Sequence, residues 1–215
     1  MSQPDSSSPY RMIVEGPDDK HTIIHLLKRH GYNWEDPTTT RPFIKEAKGV
    51  AQLLRKPVLT AELKSYRRLA LVFDADWALA NRWHQLKDIL ESEGLSPPAT
   101  PEPDGTIIPG LLPDSRLGIW VMPDNAQPGR IEEFVEKLVP ADDGIWAHAR
   151  KTTTEALSQG ARLRPQDHVK GALYTWLAWQ EDPGVRLGIA LLNQVLRHDS
   201  PEAQRFVDWF HRCFS

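Results

Sequence analysis

Short apolar runs alternate along the chain with longer stretches in which apolar residues recur every three or four positions. The short runs predict β-strands and the longer periodic stretches predict helices. Glycines follow several of these stretches, such as Gly31 and Gly94, and are typical helix ends. The predicted strands lie at residues 11–14, 41–45, 68–73, 106–108 and 117–122, and the predicted helices at residues 18–29, 49–55, 58–65, 77–93 and 129–138.

This alternation predicts an α/β fold with a mostly parallel sheet flanked by helices. From residue 143 onward the pattern changes to helices at residues 144–159, 165–180, 185–196 and 201–214. We therefore expect three parts: a disordered tail over residues 1–9, an α/β core over residues 10–142, and a helical C-terminal portion over residues 143–215 packed on that core. The proline-rich stretch 96–105 is predicted to be a loop.

Composition narrows the function classes only slightly. Hydrophobic residues make up 40% of the chain, and the formal net charge of -3 gives no global basic field for nucleic acid. The single cysteine, Cys213, excludes an intrachain disulfide and a Cys-rich zinc site. No apolar run has the length of a membrane span, and the first residues lack the apolar segment of a signal peptide. We therefore expect a cytoplasmic protein without membrane association.

Acidic residues follow two of the predicted strands. Glu15 comes directly after the first strand, Asp74 and Asp76 follow the strand at residues 68–73, and Asp18 and Asp19 open the helix after Glu15. Sites in parallel α/β sheets form outside the carboxyl ends of the strands. If strand geometry continues through Asp76, its side chain and that of Asp74 lie on one face. Converging carboxylates repel one another unless a cation lies between them, and hard oxygen ligands favour Mg²⁺ or Mn²⁺.

Each acidic residue also has a structural interpretation. Asp18 or Asp19 could complement the dipole of the helix that they begin, and Asp18 could cap it. Asp76 could be the N-cap of a helix starting at Trp77. The pairing of Glu-Gly after one strand with Asp-x-Asp after another is the more specific signal.

Two stretches carry a family resemblance: IVEGPDDK at residues 13–20 and LVFDAD at residues 71–76. Together they resemble the Toprim domain of topoisomerases, bacterial primases, small ribonucleases and nucleases of the OLD (overcoming lysogenization defect) family. The chain is most similar to stand-alone Toprim-like proteins allied to the OLD nucleases. Three further stretches are similar to that group: residues 118–125, 129–134 and 170–180.

The resemblance implies a role for each matching position. Its implied metal ligands are Glu15, Asp19, Asp74, Asp76 and one of the pair Glu132 and Glu133. The implied catalytic residues are Glu15, Asp74, Asp76 and a lysine, for which Lys170 is the first candidate, with Arg130 and Lys137 as substitutes. The implied cofactor is Mg²⁺ or Mn²⁺, in a two-metal arrangement.

The function that this resemblance implies is divalent-metal-dependent nuclease activity on DNA or RNA, with phage defence as its context. The implied partners are nucleic acid, a separate ATPase subunit and a second copy of the chain. Two alternatives stay open. One is a non-nuclease Toprim enzyme that handles nucleotides or other phosphates, and the other is a regulatory interaction module whose acidic site is structural.

Other candidate motifs have simpler interpretations. His21 and His25 share a helix face, but Thr22 stands where a zincin needs glutamate, so both are expected at the surface or behind the site. Trp176 and Trp179 are expected in the core rather than as a base-stacking platform. Scattered basic residues could contact phosphates but are expected to be ordinary surface charge: Arg67, Arg68, Arg82, Arg150 and Lys151.

Overall fold

The structure, a computed structural model, describes residues 8–36 and 41–215. Most of the predicted N-terminal tail, residues 1–7, lies outside the described residues. Of the rest of that tail, Ser8 donates a side-chain hydrogen bond to the carbonyl oxygen of Arg41 at 3.0 Å.

A five-stranded sheet forms the centre of the molecule. Its strands are β1 (Tyr10–Val14), β2 (Phe43–Glu46), β3 (Arg68–Asp74), β4 (Thr106–Pro109) and β5 (Arg116–Met122). They are ordered β2-β1-β3-β5-β4, and all pairs are parallel except β4 with β5. The prediction of an α/β fold with a mostly parallel sheet is therefore confirmed. The carboxyl ends of β1, β2, β3 and β5 meet at one edge.

Helices cover both faces of this sheet. They are α1 (Pro17–Arg29), α2 (Val50–Leu53), α3 (Lys56–Leu63), α4 (Leu79–Ser92), α5 (Ile131–Glu136), α6 (Gly144–Ser158), α7 (His168–Ala178), α8 (Leu187–Leu192) and α9 (Pro201–Phe214). A short 3₁₀ turn at Pro165–Asp167 leads into α7. The glycine that ends α1 is as predicted: Gly31 has a φ of +83°, and the next amide, of Tyr32, donates to the carbonyl of Leu27.

The alternation of side chains along the strands divides the core in two. On β3, Leu69, Leu71 and Phe73 face a cluster with α2, α3 and α4. Ala70 and Val72 face the opposite cluster, which is built with α1, α5 and α6–α9. This second cluster contains residues from both sides of position 143, so the C-terminal helices complete the core on that face of the sheet.

Several predicted boundaries were wrong for local reasons. The helix predicted to begin at residue 58 begins at Lys56, because Pro57 fits in the first turn of α3, where its missing N–H costs nothing. The helix predicted to start at Trp77 starts at Leu79. The helix predicted over residues 185–196 shortens to the six residues of α8, and the strand predicted at residues 41–45 begins at Phe43. The loop at residues 96–105 is confirmed.

Candidate metal centre

The ends of β1 and β3 place Glu15 beside Asp74. The two strands are in register through Val14 and Val72, and the backbone N–H of Asp74 donates to Oε2 of Glu15 at 3.2 Å. Asp74 is buried, and its Oδ1 accepts a hydrogen bond from the N–H of Ile131 at 3.0 Å. The carboxylate of Glu15 thus links β1 to β3, and the carboxylate of Asp74 links β3 to the first residue of α5.

Asp19 lies in the first turn of α1 and is buried. Its Oδ2 accepts a hydrogen bond from the N–H of Gly16 at 3.0 Å, so part of its role is to cap the helix. Within the described ranges, its other oxygen, Oδ1, is buried and has no hydrogen-bond partner. Asp18 is exposed and lies near Tyr174. Of the two adjacent aspartates, Asp19 is therefore the one that faces the sheet edge.

Asp76 adopts neither of the two conformations considered from the sequence. Strand β3 ends at Asp74, and Asp76 has a φ of +50°, so strand geometry does not continue through it. The N-cap of α4 is Ala78, which makes the N-cap interpretation of Asp76 wrong as well. The Asp76 carboxylate instead forms an ion pair with Arg82 at 2.7 Å. It nevertheless lines the same cleft as the other carboxylates.

Glu132 and Glu133 take different directions from the start of α5. Glu132 is 3% exposed and lines the cleft. Oε2 of Glu133 accepts a hydrogen bond from the backbone N–H of Arg130 at 2.6 Å, which caps the helix. Glu133 is not among the residues that line the cleft. The structure therefore places Glu132, and not Glu133, with the other candidate ligands.

Two of the three candidate cations reach the cleft. Nζ of Lys170, on α7, lies 2.7 Å from Oε1 of Glu132. Arg130 also lines the cleft and pairs with Asp167 at 3.0 Å. Lys137 pairs with Asp124 and does not line the cleft. The positions of Lys170 and Arg130 fit the expected placement of a cation beside the carboxylates.

The cleft itself has a volume of about 480 Å³. Its charged lining residues are Glu15, Asp18, Asp19, Lys48, Asp74, Asp76, Arg130, Glu132 and Lys170. The sequence analysis missed Lys48, which follows β2 at the same carboxyl edge as Glu15 and Asp74. Carboxylates outnumber cations in this set, so the cleft carries an excess of potential negative charge.

Comparison with protein families decides where the chain belongs. The model of a family described as "Protein of unknown function (DUF3226)" matches residues 9–215. The chain belongs to the DUF3226 family. Neither the curated proteins nor the solved structures gave a match. The family description assigns no activity, so the function of this DUF3226 protein has to be argued from its cleft.

Three carboxylates of the DUF3226 cleft, those of Asp74, Asp19 and Glu15, have pKa values above those of isolated carboxylates. Burial, reinforced by the charges of Asp19, Glu15 and Glu132, raises the pKa of Asp74 to about 9. Burial, with the charges of Glu15 and Glu132, raises the pKa of Asp19 to about 7. Burial also raises the pKa of Glu15. These shifts identify Glu15, Asp19 and Asp74 as buried acidic groups that lie close together.

The donor set fits Mg²⁺ or Mn²⁺. All the candidate ligands are carboxylate oxygens, and among the residues that the structure describes the buried Oδ1 of Asp19 has no hydrogen-bond partner and is free to bind a metal. Among the described residues, however, no three acidic, histidine or cysteine side chains already surround one point at ligand distances. Two of the candidate ligands are engaged in ion pairs, because Arg82 holds Asp76 and Lys170 holds Glu132. A metal would have to displace those two contacts.

The remaining candidates lie away from this chemistry. His25 is buried where α1 packs on α8, contrary to the expectation of a surface or supporting position, and His21 is exposed. Trp176 is in the core as expected, but Trp179 is exposed and stacks on His148. Arg68 begins β3, at the opposite edge of the sheet from the cleft. No helix in the described part of the chain has the length and apolarity needed to cross a bilayer.

Proposed function

We propose that this DUF3226 protein is a divalent-metal-dependent nuclease that cleaves phosphodiester bonds in DNA or RNA. The observation that supports this proposal best is the convergence of Glu15, Asp19, Asp74 and Glu132 in one cleft with a lysine. Carboxylates from two strand ends and two helices meet there, and the pKa values of Asp74 and Asp19 are raised because these buried groups lie close to other carboxylates. The resemblance of residues 13–20 and 71–76 to the Toprim motifs supports it independently.

In this proposal the acidic and the basic side chains of the cleft would have different roles. Glu15, Asp19, Asp74, Asp76 and Glu132 would hold the metal. When bound, divalent ions supply charge neutralisation at the phosphate and activation of water for in-line attack. Lys170 would donate a hydrogen bond to a phosphate oxygen as negative charge develops there, once Glu132 turns to the metal. Arg130 and Lys48 add positive charge that attracts the phosphate backbone into the cleft.

Glu133 is not part of this ligand set. Its carboxylate caps α5, and we assign it the structural role of positioning Glu132. A homodimeric state and control by a separate ATPase subunit are further proposals, and they rest on the resemblance alone. A cytoplasmic location is also a proposal, and it rests on the hydropathy of the chain.

The test is a cleavage assay with three substrates: supercoiled plasmid, linear DNA and transfer RNA. Each is incubated with the purified protein in Mg²⁺, in Mn²⁺ and in chelator, and the products are separated by electrophoresis. We expect cleavage of at least one substrate with either metal and none in chelator. Asp74→Asn should abolish cleavage, while Asp88→Asn, which changes an exposed carboxylate on α4, should not.

Metal binding is measured separately, because it does not require the right substrate. Calorimetric titration with Mn²⁺ should show binding to wild type and weaker binding to Asp74→Asn. A protein that binds Mn²⁺ but leaves all three substrates intact would favour the non-nuclease phosphate enzyme. A protein that neither binds metal nor cleaves would favour the regulatory module with a structural acidic site.

A further inference from the structure

An exposed tryptophan stands directly beside the carboxylate cleft. Within the described residues, the large apolar side chains that are exposed are Trp77, Ile145, Tyr174 and Trp179. Trp77 is the most exposed of them, at 54%, and it follows Asp76 in the chain. Leaving a large aromatic ring in water forgoes the stabilisation that burial would give it, so its position beside a charged cleft calls for an explanation.

The backbone around Trp77 is held in place rather than left free. The N–H of Gly129 donates to the carbonyl of Asp76 at 2.6 Å, which joins this loop to the turn before α5. Gly129 has a φ of +142°, and a Cβ there would lie 3.1 Å from the side chain of Glu133. Only glycine suits both the backbone angle and the close approach. The loop that carries Trp77 is therefore fixed relative to the start of α5.

Arg130 connects the Trp77 ring to the cleft. Its guanidinium carbon lies 5.4 Å from the centre of the ring, within the range of a cation–π contact. The same guanidinium lies 3.9 Å from the carboxylate of Glu132. One cationic group thus separates the exposed ring from a candidate metal ligand. A phosphate bound in the cleft would have its sugar and base within reach of the ring.

A second cleft extends from the carboxylate cleft on the Trp77 side. The two clefts share Asp76, and the second is lined by Trp77 together with Asn81, Arg82 and Gln85. Asn81 and Gln85 are exposed and lie one turn apart on α4, so both amides are on one face of the helix. An aromatic ring beside amide and guanidinium donors matches a nucleobase, which offers a flat π-face and polar edges.

A second exposed aromatic ring, that of Tyr174, lies beside the cleft residue Lys170 without lining the cleft. Tyr174 lies one turn beyond Lys170 on α7, with Nζ of Lys170 5.8 Å from the centre of its ring. The pKa of its hydroxyl group is raised by burial and by the nearby carboxylate of Asp18, which lines the cleft. Trp77 and Tyr174 each lie beside a cation, Arg130 or Lys170, that also approaches Glu132.

We propose that Trp77 stacks on an unpaired nucleobase next to the phosphate in the cleft, so that the substrate is a single-stranded segment of nucleic acid. Bases in a duplex already stack on one another and offer their faces to a protein ring only after unstacking. Tyr174 would support a neighbouring nucleotide at the Lys170 end of the cleft. This inference rests on the proposed nuclease function and adds the conformation of its substrate.

The experiment measures binding apart from cleavage. Fluorescence anisotropy is followed with labelled oligothymidine, oligouridine and a DNA hairpin of matched length, in Ca²⁺ and in chelator, with each strand checked for integrity afterwards. We expect the single strands to bind at least tenfold more tightly than the hairpin, and the two single strands separate a DNA preference from an RNA preference. Trp77→Ala should weaken single-strand binding roughly tenfold, which corresponds to about 1.4 kcal/mol.

Matched variants separate stacking from other roles. Trp77→Phe keeps a ring and should retain most of the affinity. Trp179→Ala removes a tryptophan of similar exposure, 46%, that does not line either cleft, and it should bind as wild type does. The melting temperatures of all variants are compared so that unfolding is not mistaken for lost binding.

Three outcomes would overturn the inference. Equal affinity of Trp77→Ala and wild type for single strands would remove the stacking role, while metal-dependent plasmid cleavage would still stand as the test of nuclease function. A change of mass in light scattering on Trp77→Ala, with unchanged binding, would assign the ring to a subunit interface. Absence of binding to every strand, together with absence of cleavage, would end both proposals.

Discussion

Replacing Asp74 with asparagine tests the metal centre without knowledge of the substrate. The pKa of Asp74 rises from its ordinary value of 3.8 to about 9 in the folded protein. At neutral pH the folded state therefore binds a proton that the unfolded state has released. The contribution of Asp74 to the stability of the wild-type protein is therefore fully present below pH 4, and it is lost as the pH rises toward the folded pKa.

The size of the effect follows from the two pKa values. Each pH unit above 3.8 costs the wild-type protein about 1.36 kcal/mol, which amounts to about 4 kcal/mol at pH 7. Asparagine does not titrate, and its amide oxygen can still accept the hydrogen bond from Ile131. In the absence of metal, Asp74→Asn should therefore melt roughly 10 °C above wild type at pH 7 and close to wild type at pH 4.

Metal should reduce the difference in stability between the two proteins. An excess of Mn²⁺ a hundredfold over its Kd stabilises the folded state by about 2.7 kcal/mol. Wild type should gain this stabilisation and Asp74→Asn should gain much less, because one ligand has lost its charge. The assay is a set of thermal melts from pH 4 to pH 8 with chelator or Mn²⁺, with Asp88→Asn as the control.

The reasoning is refuted by one pattern in particular. If Asp74→Asn is less stable than wild type at pH 7 and keeps the full Mn²⁺ shift, Asp74 acts only as a hydrogen-bond acceptor for Ile131. A gain in stability that does not depend on pH would also contradict the assignment, because the gain would then have nothing to do with the ionisation of Asp74.

Three further variants test the neighbouring contacts. Lys170→Ala should lower turnover roughly 10²–10³-fold and destabilise the fold by about 1–3 kcal/mol, because buried Glu132 loses its 2.7 Å partner. Adding Glu132→Gln to this variant should restore stability in denaturant melts but not turnover. Unchanged cleavage by Lys170→Ala would make Lys170 an ordinary surface lysine. Arg82→Gln should free Asp76 and lower the Mn²⁺ Kd roughly two- to fivefold in calorimetric titration; an unchanged Kd would exclude Asp76 as a ligand. Gly188→Ala should destabilise the fold by about 1–3 kcal/mol, since a Cβ there would lie 2.8 Å from the backbone of His21. The control is Gly144→Ala, which has open space around the new Cβ. Equal stability of both variants would refute the close packing of α1 on α8.

The parts of the site that could be predicted are those that depend on strand ends. An apolar run that stops at an acidic residue reveals both the strand and the carboxyl edge, which is why Glu15 and Asp74 could be placed together. The prediction for Asp76 relied on continued strand geometry and failed, because the chain turns through a left-handed conformation at that residue. Nothing in the motif Asp-Ala-Asp specifies such a turn.

The sequence could not show which of two adjacent acidic residues faces the cleft, because that depends on how their helix packs. Glu132 and Glu133 are both acidic and both lie in the first turn of α5, so the pattern alone could not separate them. The structure separates them through the backbone N–H of Arg130, which takes Glu133 as its acceptor. Because the N-cap is an arginine rather than serine or threonine, the usual sequence signature of this cap is missing. Lys48 and Trp77 were missed for a related reason, since both lie in loops whose positions depend on contacts distant in sequence.

The division expected at residue 143 follows a real change of pattern but crosses the site. The carboxylates come from residues before that position, while Lys170, which pairs with Glu132, and Asp167, which pairs with Arg130, come from beyond it. The same helices fill the core face that contains Trp120 and Phe134. The acidic residues before position 143 therefore depend on a cation and on packed helices from beyond that position. The C-terminal helices are consequently part of the catalytic arrangement we propose, because without them Glu132 would lose Lys170 and the sheet would lose its cover on that face.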